Sequence, residues 1–478
     1  MKMWTIETIL SGSEGILKGG ALSSEIAGFS IDTRTIRPGE LFIALKGPRF
    51  DGHDFIAPAM ARGAAGAMVS RAAFEARNKE WQAYLDRAGF VLVHDPLEAL
   101  QAMATWHRNR FQVPLIGVTG SNGKTTTKEM IAAILSRRGA VLKNEGNLNN
   151  HIGLPLSVLR LNADHRAAVL EIGISQKGEM QRLCEIARPT VGVITNIGPA
   201  HLEFLGSLAG VAEEKGKLFE SVGAEGTAVI NLDDPHLASW EGRASNRTTF
   251  SLEHPADVTG ADLRQAGSGI GFTLRIARTG EEGEILLATS GRHQAYNALA
   301  AAAVASSLGY RLDEIGAGLG AFRPVALRAE LLEVNGKTIL LDAYNANPAS
   351  MKAALEMLGT FVAPKRGAPR KVAILGDMLE LGAHSERAHR EIGRYAAAKG
   401  VDLLLTVGQW AEQVAEGARH AGLSADAVHA YADLLSLEKG LIPQLREGDV
   451  LLIKGSRGMR MEALLPSLGV QRAEKGHN

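Results

Sequence analysis

Read for its apolar and polar positions, the chain falls into three stretches of different rhythm. Up to about residue 111 short strands alternate with turn residues, as in GFSIDTRTIRPGELFIALKG, and alanine-rich helical stretches follow, closing on TWHRNRFQ before the apolar run VPLIGVT. Beyond that point β-like runs alternate with helical patterns: LIGVT, KEMIAAILSRRG, AAVLEIG, EMQRLCEIA, VGVITN, VAEEKGKLFESV and TAVINLD. Such alternation predicts a parallel sheet wrapped by helices. Residues from about 250 to 290 return to strand-and-turn signals, and HQAYNALAAAAVASSLG then reads as a helix. After Phe322 and before Pro324 a second alternating region begins, with strand candidates TILLDAY, KVAILGD, DLLLTVG and DVLLIKG separated by helices such as SMKAALEMLGTF. This predicts a second, doubly wound α/β unit. The expected domains are therefore 1–111, 112–322 and 323–478.

Composition narrows the picture without changing it. A chain of 478 residues is too long for one ordinary core. Apolar residues make up 45%, and 52 basic residues balance 52 acidic ones, so neither disorder nor a nucleic-acid partner is expected. The most apolar segment, ALAAAAVASSLGY at 298–310, is short and rich in alanine, and the first residues lack a basic start followed by an apolar core. The expectation is a cytoplasmic protein that is not embedded in a membrane. With Cys184 as the single cysteine, no intramolecular disulfide and no cysteine metal cluster can form, and its expected role is a small buried hydrophobe.

Candidate chemistry starts at GVTGSNGKTTTKE, residues 117–129. The strict phosphate-binding pattern G-x-x-x-x-G-K-[ST] would put its first glycine at 118, where the chain has Val118. The setting is nevertheless right, because LIGVT reads as a buried strand and KEMIAAILSRRG as an amphipathic helix. Gly120 and Gly123, flanking Ser121 and Asn122, let backbone amides turn inward on phosphate oxygens, Lys124 reaches the terminal phosphates, and the Thr125 hydroxyl suits Mg²⁺. Glu171 and His201 each follow a predicted strand, where ligands gather in open parallel sheets. Together with Thr125 they offer a carboxylate, an imidazole and a hydroxyl on one rim. Lys215, in GVAEEKGKLFE, reads on residue type alone as a solvated lysine, and a free ammonium beside Mg²⁺ would be repelled.

These residues resemble a known family, the ATP-dependent Mur peptide ligases of bacterial cell-wall synthesis, whose loop has glycines spaced three apart. Here they are Gly117, Gly120 and Gly123, followed by Lys124, Thr125 and Thr126. SIDTRTIRPGELFIALKGPRFDGHDF, NEGNLNNHIGLPLSVL, LDAYNANPASM, LGDMLELGAHSERAH and KGSRGMRME look, in order, like the branch that joins D-alanyl-D-alanine to UDP-MurNAc-tripeptide. The resemblance implies an α/β protein of three domains: a small N-terminal domain for the uridine nucleotide, a central P-loop ATPase domain and a C-terminal Rossmann-like domain that receives the dipeptide. It implies ATP as substrate, two Mg²⁺ ions, an acyl-phosphate intermediate, small-molecule partners only and a monomer. Thr125, Glu171, His201 and Lys215 would ligate metal, Lys215 as a carbamate formed with CO₂, which turns a cation into an anionic oxygen donor.

The catalytic set implied is Lys124, His201, Lys215 and Arg328. The ATP set is Gly120, Ser121, Asn122, Gly123, Lys124, Thr125, Thr126, Asn297, Arg328, Asp342, Tyr344 and Asn345. Gln294 stands where the family's adenine-side motif has asparagine, and Leu341 where a second acidic residue is common. Ser30, Asp32, Thr33 and Arg34 would meet the uridine nucleotide, and Asn147, Asn149 and Asn150 the sugar-peptide. On residue types alone SIDTR reads equally as a turn, the three asparagines as a capped loop, and Tyr344, Asn345 and Asn347 as turn-formers. Two other functions stay open: another amide ligase of the same superfamily, such as a folylpolyglutamate type, and a P-loop ATPase or switch that makes no bond. The D-N-P-[RK] motif of the diaminopimelate-adding type is absent.

Overall fold

A computed structural model describes residues 4–19, 25–266, 269–361 and 369–470. Each apolar rhythm becomes one sheet. Residues 16–93 hold five strands, 115–287 nine, and 330–454 six, so within the described residues the chain passes from one sheet to the next once and does not return.

The central sheet carries the site. Its strand Leu115–Thr119 is buried along its whole length and lies parallel between His165–Glu171 and Val191–Ile194. Thr227–Asn231, Arg247–Ser251 and Val258–Ala266 continue the parallel order on one side, and Ala140–Lys143 completes it on the other. The expected parallel sheet with helical crossovers is borne out, and the strand-and-turn region near 250–290 extends it: Gly269–Ile276 and Glu281–Leu287 add antiparallel to its edge. Because the strands are parallel, Thr119, Glu171 and Ile194 end on the same rim. Helix Lys124–Leu135 packs against the alanine-rich helix Arg292–Ser307, whose small side chains admit close approach.

The first sheet runs Ile16–Lys18, Gly89–Val93, Gly66–Ser70, Glu40–Ile43, Gly28–Ser30, all parallel except the first pair. Helix Pro96–Arg108 joins it to the centre. Asp95 caps this helix, accepting from the Leu97 and Glu98 amides, and Pro96 opens its first turn. It packs on Ile6–Ser13 to one side and on Gly153–Val158 and Glu179–Ala187 to the other. Near its end the Arg108 guanidinium, 5% exposed, donates to the carbonyls of Phe111, Val113, Ala187 and Arg188. His107, fully buried against Trp4 and Phe111, lies 2.7 Å from the Leu161 carbonyl through Nε2, and burial holds its pKa down at about 4.

The third sheet runs Glu330–Val334, Lys337–Asp342, Val450–Lys454, Lys371–Gly376, Leu403–Val407, Val428–Tyr431, with only the first pair antiparallel. The doubly wound reading holds for its four buried strands. Two further strands went unread: Glu330–Val334 and Val428–Tyr431 are half-exposed edges without a continuous apolar run.

Candidate active site

The rim of the central sheet and the facing strand ends and loops of the third enclose a cleft of about 650 Å³. Its floor is the loop after Leu115–Thr119. Val118 is buried in the strand and pairs with Val193 and Glu171, so the strand runs on through the position where a strict loop would already turn. Gly117 also lies inside the strand, where a methyl would press on Ile172 and Leu218. The turning residues are Gly120 and Gly123, with φ of +144° and +80°. A Cβ on Gly120 would fall 1.9 Å from Thr195 Oγ1, and one on Gly123 would fall 2.3 Å from Asn297 Oδ1. Ser121 and Asn122 are tied to the next strand end: the Ser121 hydroxyl donates to the Gly198 carbonyl, and the Asn122 amide donates to Asn196 Oδ1. Lys124 begins the helix and folds its ammonium back on the Gly120 carbonyl at 2.9 Å. Thr126 lines the cleft beside it.

Thr125 and Glu171 meet directly, the hydroxyl donating to Glu171 Oε2 at 2.5 Å, while Asn149 Nδ2 donates to Oε1 at 2.8 Å. Glu171 is 4% exposed. Burial pushes its carboxyl upward, but Lys124, Arg328 and the Thr125 hydroxyl together hold it below the ordinary value. A buried carboxylate and hydroxyl converging on one point form a hard-oxygen donor set, and that chemistry fits Mg²⁺. Lys215 is not on the surface: it is 2% exposed and lines the same cleft. Its Nζ makes no hydrogen bond or ion pair among the described residues. Burial, with Lys124 adding to it, lowers its pKa well below that of an ordinary lysine, which favours the neutral amine. Gly216 follows it because a Cβ there would strike the Trp240 ring. His201 lines the cleft in a left-handed conformation, φ +54°, and its Nδ1 lies 2.8 Å from Glu380 Oε2 of the third sheet's loops, a close contact without hydrogen-bond alignment.

The far wall comes from the third sheet. Arg328 reaches the cleft between two left-handed residues, Leu327 (φ +63°) and Ala329 (φ +51°). Its guanidinium stacks 3.9 Å above the Tyr344 ring, and its buried Nε has no hydrogen-bond partner. Asp342 is engaged on both oxygens, by the Ala329 amide and by Lys454 Nζ at 2.5 Å. Lys454, 1% exposed, also donates to the Asn345 carbonyl; it lines the cleft although the sequence did not single it out, only its segment KGSRGMRME. The Asn345 side chain accepts from the next amide, whereas Asn347 Nδ2 crosses to Asn122 Oδ1 at 2.8 Å. Asn297 is buried between Thr127 and Gln294, whose amide oxygen accepts from it, so Gln294 supports Asn297 as well as lining the cleft.

The remaining candidates lie apart. Ser30, Asp32, Thr33 and Arg34 are outside the cleft, in a turn after Gly28–Ser30 held by Asp32, which accepts from Arg34 Nε and Nη2. Arg34 holds the Asp32 carboxyl below its usual range, against a smaller upward effect of burial. Asn149 and Asn150 line the cleft, and Asn150 also accepts from the Ile152 and Gly153 amides; Asn147 is exposed and does not line it. No described helix is long and apolar enough to cross a membrane.

Known proteins share this arrangement. Residues 25–108 match the Mur ligase family catalytic domain, 118–305 the Mur ligase middle domain, and 327–457 the Mur ligase glutamate ligase domain. The UDP-N-acetylmuramoyl-tripeptide–D-alanyl-D-alanine ligase of Bacillus subtilis is 36% identical over 93% of this chain and 93% of its own. The Escherichia coli enzyme of the same name is 37% identical over 97% and 98%. Among solved structures, MurF from Acinetobacter baumannii superposes with a TM-score of 0.85 at 30% identity, covering 97% of this chain and 98% of that one. MurF from Thermotoga maritima in complex with ADP gives 0.78 at 30%, covering 92% and 96%. With relatives this similar over nearly its whole length, and with the same three-domain α/β fold, the chain belongs to the Mur ligase family.

Proposed function

We propose that this protein is the ATP-dependent ligase that joins D-alanyl-D-alanine to UDP-N-acetylmuramoyl-tripeptide in the synthesis of peptidoglycan precursors. One observation carries the reading: the phosphate loop, with Lys124, Glu171 and Lys215, faces Arg328 and Asp342 of the third domain across a single cleft. A site divided in this way assembles when two domains meet, and it excludes water from an intermediate that water would destroy.

A carboxylate is a poor acyl donor because oxide is a poor leaving group. The terminal carboxylate of the UDP-tripeptide therefore attacks the γ-phosphorus of ATP, ADP leaves, and an acyl phosphate forms. The neutral amine of the dipeptide then adds to the acyl carbon; the adduct loses a proton and expels phosphate, leaving the amide. Lys124 and Arg328 place positive charge on the transferring phosphoryl group, and the amides at Gly120–Thr126 cradle the phosphates. Thr125, Glu171 and His201 would hold Mg²⁺, which supplies charge neutralisation on phosphate oxygens when bound. The neutral Lys215 amine is the form that adds CO₂ with loss of a proton, and the resulting carbamate would complete the donor set. Asp342, Tyr344, Asn345 and Asn297 form the nucleoside side of the cleft. Residues 1–111 hold the uridine nucleotide through Ser30, Asp32, Thr33 and Arg34, 112–322 bind ATP, and 323–478 receive the dipeptide. Asn147, Asn149 and Asn150 face the sugar-peptide. The protein works as a cytoplasmic monomer.

The test is ADP release measured with each substrate withheld in turn. Release should require both the UDP-tripeptide and D-alanyl-D-alanine, and equal release without either would sink the ligase reading. Lys215→Ala should lose activity and recover part of it with short carboxylic acids; full activity without them would remove the carbamate.

A further inference from the structure

Glu380 belongs to none of the sets above, yet its position is tightly specified. It lies in the loop after Lys371–Gly376, and the three residues before it are fixed in place. Asp377, 4% exposed, accepts from the Gln409 and Trp410 amides through its side chain and from the Ser456 amide through its carbonyl. The Met378 amide donates to His389 Nε2, and the Leu379 amide donates to Ser456 Oγ. This leaves Glu380 in a left-handed conformation, φ +62°, which a non-glycine residue keeps only where its surroundings over-determine it. Two residues on, Gly382 passes so near Glu203 that a Cβ on it would sit 3.4 Å from the Glu203 Cβ. The loop is therefore seated on the short helix Leu202–Leu205 that follows His201. His201 is itself left-handed, so two strained residues from different sheets face each other with Nδ1 and Oε2 2.8 Å apart.

We infer that Glu380 is a positioning residue that sets the His201 ring from across the domain boundary, so that the histidine is ready for metal only while the third domain is docked. The inference rests on the proposed role of His201 toward Mg²⁺. A carboxylate beside Nδ1 fixes that nitrogen as the protonated one and turns Nε2 toward ligation, and outer carboxylates of this kind are worth about 10–100-fold in metal affinity. The present contact is close but not aligned, as contacts of this kind often are before substrate binds. Metal affinity and domain docking thereby become one equilibrium.

The probe is Mn²⁺, titrated by electron paramagnetic resonance into the full chain with ADP present, for the wild type, Glu380→Gly and Glu380→Gln. Glu380→Gly removes the carboxylate and relieves the backbone, so it should raise the melting temperature while weakening Mn²⁺ binding about tenfold. Glu380→Gln, which keeps an oxygen acceptor but no charge, should fall between. In turnover, the Mg²⁺ requirement should shift upward with KM for the UDP-tripeptide unchanged. Wild-type Mn²⁺ affinity in Glu380→Gly overturns the inference alone. Absence of Mn²⁺ binding by the wild type overturns it together with the metal role of the site, so the two failures are told apart.

Discussion

Single residues in the cleft are constrained by contact and by charge, and the two kinds of constraint predict different failures. Gly123→Ala must place a Cβ 2.3 Å from Asn297 Oδ1 at a φ of +80°. It should cost about 1–3 kcal/mol and lower ATP affinity at least about tenfold, as read by thermal unfolding and nucleotide titration. Lys454→Met leaves Asp342 without its cation. The expected loss is about 2 kcal/mol, less than for a fully buried pair because Asp342 is partly exposed, with a rise in KM for ATP. Cys184 is 3% exposed and burial raises its thiol to about 12, so a disulfide reagent should label it only after unfolding. Much of this site was legible in the chain: the spacing of Gly120, Gly123 and Lys124 marks a phosphate loop, and strand ends mark Glu171. Lys215 was not legible from its own neighbours, since GVAEEKGKLFE looks solvated and only tertiary packing buries it. Glu380 and Lys454 were hidden for a similar reason, because each acquires its partner from a segment more than a hundred residues away.

At the scale of elements, helix Pro96–Arg108 is the piece on which the first and central sheets agree. A helical stretch closing on TWHRNRFQ was readable, but not that it would pack on both sides, since periodicity does not show what a helix packs against. His107 makes this junction acid-sensitive. Its folded pKa of about 4 lies below the ordinary 6.5, so between these values the unfolded chain binds a proton that the folded chain refuses. The sign follows: stability is full above about pH 6.5, falls as pH drops through the window by up to about 3 kcal/mol, and falls no further from this group below about pH 4. Urea unfolding at pH 7 and pH 4.5 should show this slope, and His107→Gln should flatten it. Arg108→Ala should be more severe, because four carbonyls around the 109–114 connection lose their shared donor at once.

For the whole molecule, the arrangement of three sheets in sequence order follows from the three apolar rhythms, whereas the edge strands do not, because an edge need not be apolar. The central and third sheets meet through polar contacts at the cleft, Asn347 to Asn122 and His201 to Glu380. Asn347→Ala should therefore favour an open form, seen as a larger radius of gyration in X-ray scattering and a smaller contraction on adding ATP analogue and UDP-tripeptide. The chain's single passage between these sheets has a further consequence. A break at residues 323–326 would interrupt no strand pairing, since the central sheet ends at Leu287 and the third begins at Glu330. Two separately made polypeptides, 1–323 and 326–478, would each retain a complete sheet, and turnover would then depend on their meeting in solution. Docking, hidden inside one chain as a conformational change, would become a bimolecular association with a dissociation constant of its own, tightened by each substrate that the closed cleft holds.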